Sequence, residues 1–370
     1  MKNEKVKQTE DLDEYEEVQP EKVKNDNFSC PSCNAQMTFN PENSSLECSY
    51  CGHTEKVIGI LSDEENNLEL AEEHDNSWQS EAKIVKCENC AAENVVSSHE
   101  ISTECPFCGS SQVVVIDELA GKKPDRVVSF KITPEVANEH FNKWIKGKIY
   151  APRKVKKNIP SIKARGIYLP AWTYDSETIS PFNGRLGKKY VVTVGSGKNR
   201  RTEVRIRWFN ISGIERVNFD DILINSGSNV SNSELSSIQP FNTNESFVYE
   251  NKFLAGFYAE HYKLNVRQGW SQAKDLMKGM IRSRILSHYN YDVVGYLNYT
   301  TSYENNTYKY VLLPVWIGSY EYNGKYYRFI TNGETGKTTG KAPISTVKVM
   351  ITVVFVLALI LGFLYLYFYS

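Results

Sequence analysis

All eight cysteines of this chain fall into two copies of one pattern. Cys30 and Cys33 are separated by fourteen residues from Cys48 and Cys51, and Cys87 and Cys90 are separated by the same gap from Cys105 and Cys108. The settings are knuckle-like: Cys30-Pro31-Ser32-Cys33, Cys48-Ser49-Tyr50-Cys51-Gly52 and Cys105-Pro106-Phe107-Cys108-Gly109. Two C-x-x-C hairpins can close a tetrahedral Zn²⁺ site with four thiolates and no open position. Such a site holds a fold together rather than activating water, because roughly 10–16 kcal/mol of metal binding becomes folding free energy in small zinc domains. The spacing therefore predicts two Zn²⁺ ions, one per set of four cysteines.

Disulfides would need an oxidising compartment. The polar start, Met1 to Lys7, has no apolar core of a secretory signal. Unrelated core cysteines would not repeat one spacing. Iron–sulfur ligation is the competing use of four thiolates. His53 reads as a turn residue, not a ligand.

Residues 349–369 are apolar without one charge. At about 1.5 Å per residue they make a helix of roughly 31 Å, enough to cross a bilayer. Tyr365, Tyr367 and Tyr369 cluster at its end, where an interfacial aromatic belt lies. A buried core helix of this length is rarely apolar on every face. Lys337, Lys341 and Lys348 precede the segment and no basic residue follows it, so the positive-inside rule places the bulk of the chain in the cytoplasm. The expected localisation is a single-pass, tail-anchored protein of the cell membrane, with its lipid bilayer as one partner.

The expected fold class is multidomain: two small zinc-ribbon β modules, an α+β body with two similar half-units, and one C-terminal transmembrane helix. The boundaries expected are a disordered acidic tail at 1–27, ribbon 1 at 28–60, and an acidic linker with a short helix at 61–82. Ribbon 2 follows at 83–118, the body at 126–336, a basic juxtamembrane linker at 337–348 and the span at 349–369. In the body, 127–132 reads as a strand, and Thr133-Pro134-Glu135 starts a helix whose apolar face is Ala137, Phe141, Trp144 and Ile145. A second helix is expected over 270–288, facing inward with Ala273, Leu276, Met277, Met280, Ile281 and Ile285. Strands are expected at 190–194, 202–209, 308–313, 319–322 and 325–331, with Asn323-Gly324 as a two-residue hairpin turn. Tyr168-Leu169-Pro170-Ala171-Trp172 matches Leu312-Leu313-Pro314-Val315-Trp316, which suggests two helix-plus-strand halves. A proline in such a strand points to a sheet edge, and each Trp to the core.

The net charge of −1 hides an uneven distribution. Basic residues accumulate over 143–165 and again over 185–207. Lys154, Lys156, Lys157, Lys188, Lys189, Arg200 and Arg201 are the candidate contacts for anionic lipid or nucleic acid, weighed against an ordinary solvated surface. Near lipid each is worth about 1 kcal/mol; on nucleic acid they would give strong salt dependence. Tyr190, Trp208 and Phe209 lie among the arginines and could stack on bases or pack a strand. No catalytic site is expected. The six histidines are dispersed, Glu177, Glu203 and Glu260 read as unpaired surface carboxylates, and Gly333-Glu334-Thr335-Gly336-Lys337-Thr338 lacks the first glycine of a phosphate loop. No small-molecule substrate is expected.

With these motifs in hand, the chain resembles Firmicutes membrane proteins that carry transcription factor IIB-type zinc ribbons. Relatives of that kind are often labelled replication factor Y-like or helicase-like. The resemblance is carried by the cysteine knuckles, Cys87-Glu88-Asn89-Cys90 among them, by the Leu-Pro-x-Trp pair and by Phe329-Ile330-Thr331-Asn332-Gly333-Glu334-Thr335-Gly336-Lys337. It implies zinc at the eight cysteines and a link to phage-shock-type envelope stress, with recruitment of a partner to the membrane; no motor motifs support the helicase label. The expectation is a non-enzymatic adaptor that brings a protein partner to the membrane, with Pro31 and Phe107 at the contact. The alternative is a membrane-tethered nucleic-acid-binding protein.

Overall fold

The computed structural model describes residues 28–369 apart from 73–74, 79–81, 98–104, 109, 117–120, 158–163 and 198–199. The acidic tail at 1–27, His74, His99, Glu100, Gly109, Lys163 and Lys198 lie outside the described residues.

The first cysteine set sits on a three-stranded antiparallel sheet of β1 (Met37–Asn40), β2 (Ser45–Cys48) and β3 (Thr54–Lys56). A short β4 (Asn66–Asn67) and a 3-10 turn, Leu68–Leu70, follow. That turn stands where the acidic linker was expected to hold a short helix. Trp78 further along is buried against Tyr249. The second cysteine set sits on β5 (Ala82–Cys87), β6 (Glu93–Ser97) and β7 (Val113–Ile116).

The body runs β8 (Arg126–Val127), α1 (Pro134–Gly147), α2 (Arg153–Lys157), β9 (Arg165–Val194), β10 (Arg201–Asn225) and α3 (Asn232–Ile238). It continues through β11 (Phe247–Val248), β12 (Tyr258–Glu260), α4 (Val266–Ser287), β13 (Val293–Tyr299), β14 (Ser302–Tyr322), β15 (Lys325–Asn332) and β16 (Thr338–Gly340). A final helix, α5, spans Thr346–Tyr369. Thr133 accepts from the Val136 amide as N-cap of α1, and Asn265 caps α4 with Gln268 as its reciprocal partner. Asn323 and Gly324 both have positive φ, as a type I′ hairpin requires.

Several strands differ from expectation. The segments at 190–194 and 202–209 are the ends of one hairpin of 30 and 25 residues, not separate short strands. Polar residues alternate with apolar ones along it, and both patterns continue through the turn-like Ser and Asn residues that limit a sequence reading. The strand expected at 127–132 is only the two residues of β8, because the chain leaves the sheet to enter α1. On α4, Leu276 and Met280 face solvent, while Val266 and Gly269 are buried with Ala273, Met277, Ile281 and Ile285. The helix begins four residues earlier than expected, and its buried stripe is the narrower i, i+4 row.

The repeated Leu-Pro-x-Trp motifs organise the body. β9 and β14 are antiparallel neighbours, and Leu169 pairs with Leu313, Pro170 with Leu312 and Tyr168 with Pro314. The matched leucines therefore meet at a local two-fold axis. Ile167 and Tyr168 pair in parallel with Tyr258 and Ala259 of β12, just as Val311 and Leu312 pair with Arg126 and Val127 of β8. Each half thus lends its short strand to the long strand of the other. Trp172 Nε1 donates to Leu264 O at 2.7 Å, and Trp316 Nε1 donates to Ile132 O at 3.1 Å. Both acceptors directly precede a helix N-cap. The Ser226 amide donates to Pro170 O and the Gly333 amide to Pro314 O.

The two prolines are not at an edge. Each stands where its strand changes outer neighbour, from β12 to β10 at Pro170 and from β8 to β15 at Pro314. The missing N–H falls in that gap and breaks no ladder.

Both ribbons also contact the body. β6 pairs with β12 through Val95 and Ala259, so the second ribbon continues the large sheet. The first ribbon joins the main core: Phe39 packs on Phe253 and its amide donates to Ala255 O. Trp172→Phe and Trp316→Phe should each cost about 1–3 kcal/mol, since each leaves a carbonyl at a helix entrance unpaired. Matching losses in thermal unfolding of the detergent-solubilised protein would show the two halves to be energetically equivalent. A loss at only one position would show the symmetry to be geometric alone.

Candidate metal centres and the charged surfaces

Each cysteine set converges. Cys30 Sγ lies 3.4 Å from Cys51 Sγ and Cys33 Sγ 3.5 Å from Cys48 Sγ; the pairs Cys87–Cys108 and Cys90–Cys105 are both at 3.6 Å. In both sets the four sulfurs lie within 4.8 Å of one another, so either group could hold a metal ion. Bonds of about 2.3 Å to a tetrahedral ion put sulfurs about 3.8 Å apart. A disulfide needs about 2.05 Å, and all eight thiols are free.

The thiols of each set are split: Cys33 and Cys51 in the first and Cys90 and Cys105 in the second are pushed up by burial and neighbouring sulfurs, while others are held down. Burial opposes ionisation of Cys30, yet the amides of Ser32 and Cys33 bring its thiol down to about 6. Burial likewise opposes Cys108, while the Asn89 side chain and the Ser110 amide bring it to about 7. The turns take positive φ, at Asn34 and Gly52 in the first set, which adopt it readily, and at Ala91 in the second, whose Cβ makes it costly. His53 stands outside the sulfur cluster, with Nδ1 3.5 Å from Ser32 Oγ.

The two knuckle surfaces differ. On the first ribbon Pro31 and Ser32 are exposed and Tyr50 is 84% exposed. On the second, Pro106 is buried and Phe107 packs into the core beside Cys105 and Val113. Phe107 is therefore a packing residue, contrary to expectation; a sequence motif cannot say which side of a ribbon faces a neighbouring sheet.

A third convergence was not legible in sequence. Glu65, Asp175 and Asp221 bring carboxylate oxygens within 4.8 Å of one another. Lys309, only 3% exposed, fills the centre, with Nζ 2.8 Å from Glu65 Oε1 and 2.9 Å from Asp221 Oδ1. Thr307 also donates to Glu65. Two bulges assemble the cluster, one between Phe219 and Ile222 of β10 and one between Glu304 and Thr307 of β14. Asp221 and Asn305 take the positive φ of these bulges. The ammonium already supplies the cation, so the cluster is a buried ionic staple. Glu260 is a second correction: it is 1% exposed and accepts from the amides of Ser228 and Asn229 and from the Asn229 side chain. Its burial pushes its carboxyl up against those hydrogen bonds. Glu203 is paired as well, with Arg201 and Arg205.

The Gly333–Lys337 segment is the turn between β15 and β16, closed by the Thr331–Thr338 pair. Asn332 Oδ1 accepts from the amides of Glu334 and Thr335.

The basic residues occupy opposite ends of the molecule. Lys154, Lys156 and Lys157 belong to α2; Lys154 and Lys157 are exposed, and Lys156 Nζ donates to Lys146 O. Tyr150, two residues before Pro152, accepts from the Ser345 amide at the start of α5. Lys188, Lys189, Arg200 and Arg201 belong to a two-stranded arm formed where β13 ends its pairing at Gly187. The arm runs from the Lys188–Arg207 pair to the Val194–Arg201 pair, about 20 Å of ladder. Opposed residues share a face. One face carries Lys188, Arg207, Tyr190, Arg205 and Arg201; the other carries Lys189, Ile206, Val191 and Val204. Arg207 lies over Tyr190 and Arg185 over Trp208, each at 5.4 Å. Lys188 is paired with Asp292.

The C-terminal helix is long and apolar enough to cross a membrane over Thr346–Phe368, and none of that stretch is buried in the protein.

The chain is similar to the uncharacterized protein YdjG of Bacillus subtilis (strain 168), 28% identical over 326 residues that cover 87% of this chain and 91% of that protein. No protein-family model matches the chain, and no solved structure matches it. The comparison brings no replication or helicase label with it.

Burial first, then the carboxylates of Glu65 and Asp221, push Asp175 up to about 7 in the folded protein. Its unfolded value is near the ordinary carboxylate range, about 3.9. The folded state therefore holds the extra proton, and stability falls as pH rises from about 4 to about 7. Asp175→Asn should raise the unfolding temperature near pH 8, with the gain shrinking toward about pH 5. Lys309→Met should do the opposite and cost about 3–5 kcal/mol, because it leaves buried carboxylates without their cation. Melting curves across pH measure both.

Proposed function

We propose that the chain is a tail-anchored, cytoplasm-facing adaptor that recruits a protein partner to the membrane. The observation that carries this reading is the contrast between the two ends of the molecule. All four ligand positions of each cysteine set are supplied by protein, and the first knuckle displays an aromatic, Tyr50, with no packing duty. At the other end stands a bare apolar helix. Zinc suits four thiolates in each set, and closed sets of this kind are structural. Lys337, Lys341 and Lys348 before the helix support a cytoplasmic body. Free cysteines agree with a reducing compartment. The link to envelope stress rests on the family resemblance alone.

On this reading partner contact centres on Pro31 and Tyr50 of the first ribbon, since exposed aromatics make the energetic centre of many interfaces. The test is affinity capture of the full chain from detergent extracts. Tyr50→Ala combined with Pro31→Ala should lose the captured partner while metal content stays at two ions per chain; unchanged capture would remove the adaptor reading. Elemental analysis supplies the metal count. Cys30→Ser should reduce it from two equivalents of zinc to one and loosen the first ribbon, whereas absence of zinc from the unaltered protein would overturn the metal assignment.

A second reading, nucleic-acid binding, is favoured by the arm alone, with arginines and Tyr190 on one face of a two-stranded ribbon. Such a ribbon fits a major groove. A gel shift of the detergent-solubilised protein through a salt series decides it. Binding that weakens steeply with salt and is lost in Arg205→Glu with Arg207→Glu supports this reading. No binding near physiological salt leaves the adaptor standing alone.

A further inference from the structure

The corner between α1 and α2 is fastened to the base of the C-terminal helix. The Ser345 amide donates to Tyr150 O at 2.8 Å. Lys348 Nζ donates to Ile149 O at 3.0 Å and to Ala151 O at 2.7 Å. Three consecutive carbonyls of one corner thus hold the first turn of the helix. This fixes which side of the body faces the surface from which the helix departs, because Ala151 and Val155 anchor the same corner in the core beside Phe141, Phe329 and Tyr320.

The corner is chemically unlike an ordinary surface. Ile149 is 76% exposed, and Tyr150 and Ile344 are exposed beside it. Arg153, Lys154 and Lys157 follow immediately and are exposed, and Lys146 and Lys148 precede it on the last turn of α1. An apolar tip ringed by cations, set at the root of an apolar helix, matches the boundary between acyl chains and anionic headgroups.

The other basic cluster does not share this placement. Gly340, from which the chain leads into the helix, pairs with Phe329, which pairs with Gly318, one step beyond the Ile317–Arg165 pair. The helix therefore leaves from the Arg165 end of β9, and the arm tip lies at the Val194 end. The 30 residues between represent roughly 95 Å of strand contour before twist shortens it.

We propose that the α1–α2 corner is a second membrane contact, in which Ile149, Tyr150 and Ile344 enter the interface while Arg153, Lys154 and Lys157 bind the headgroups of anionic phospholipid. The proposal rests on the anchor reading above and deepens it: the helix holds the protein to the bilayer, and the corner sets its orientation and lipid preference.

The test uses the full chain in nanodiscs of phosphatidylcholine alone or of phosphatidylcholine with phosphatidylglycerol. Surface lysines are acylated and quantified by mass spectrometry. Acylation of Lys154 and Lys157 should fall about fivefold with phosphatidylglycerol, the ratio that corresponds to about 1 kcal/mol per headgroup contact. Lys278 on α4 and Lys189 on the arm, both exposed, serve as internal controls and should not change. In the triple variant Arg153→Glu, Lys154→Glu, Lys157→Glu, the same lipid should no longer protect Lys146 and Lys148. Equal acylation of Lys154 and Lys157 in both lipids would overturn the proposal, as would a fall that the controls share. Failure of the anchor reading is separate and visible beforehand, as a protein that does not enter nanodiscs at all.

Discussion

The pairing of Leu169 with Leu313 is the constraint on which the rest of the body depends. At that point two copies of one motif run antiparallel, so the contacts of one Leu-Pro-x-Trp motif are answered by those of the other. The tryptophans reach the helix entrances, the prolines stand at the changeover of outer strands, and each half's short strand completes the other's ladder. Neither half could close its own sheet alone, because β8 pairs with β14 and β12 with β9. The exchange makes the two halves one cooperative unit.

The cysteine centres extend this unit at both flanks. The second ribbon enters the large sheet through β6, and the first meets it through Phe39 and Ala255. An ion held in either set would therefore be coupled to the body. Loss of an ion should reach the core through those contacts. All four ligand positions of each set are filled by protein, so an ion held there would have a structural role.

Charge is partitioned along the same frame. The cations of α2 stand at the root of the C-terminal helix, and those of the arm stand at the far end of the longest strand. The two basic stretches of the sequence thus form two surfaces with different neighbours. The buried ionic staple of Lys309 sits along β9 between them, built by a bulge on each of the strands that flank it, β10 and β14.

Much of the candidate site could be read from residue spacing. The cysteine pairs, the apolar C-terminal stretch, the caps of α1 and the Asn323-Gly324 turn are local patterns, set by geometry within a few residues. The matched Leu-Pro-x-Trp motifs likewise announced two halves. What pairs with what was not local. The exchange of short strands, the central place of Pro170 and Pro314, the burial of Glu260, the packing of Phe107 and the meeting of Glu65, Asp175, Asp221 and Lys309 depend on residues brought together from separate elements. Side-chain type fixes which chemistry a position can offer. Only the fold of the long strands decides which of those offers meet, because sheet register and bulges are settled by contacts distant in the chain.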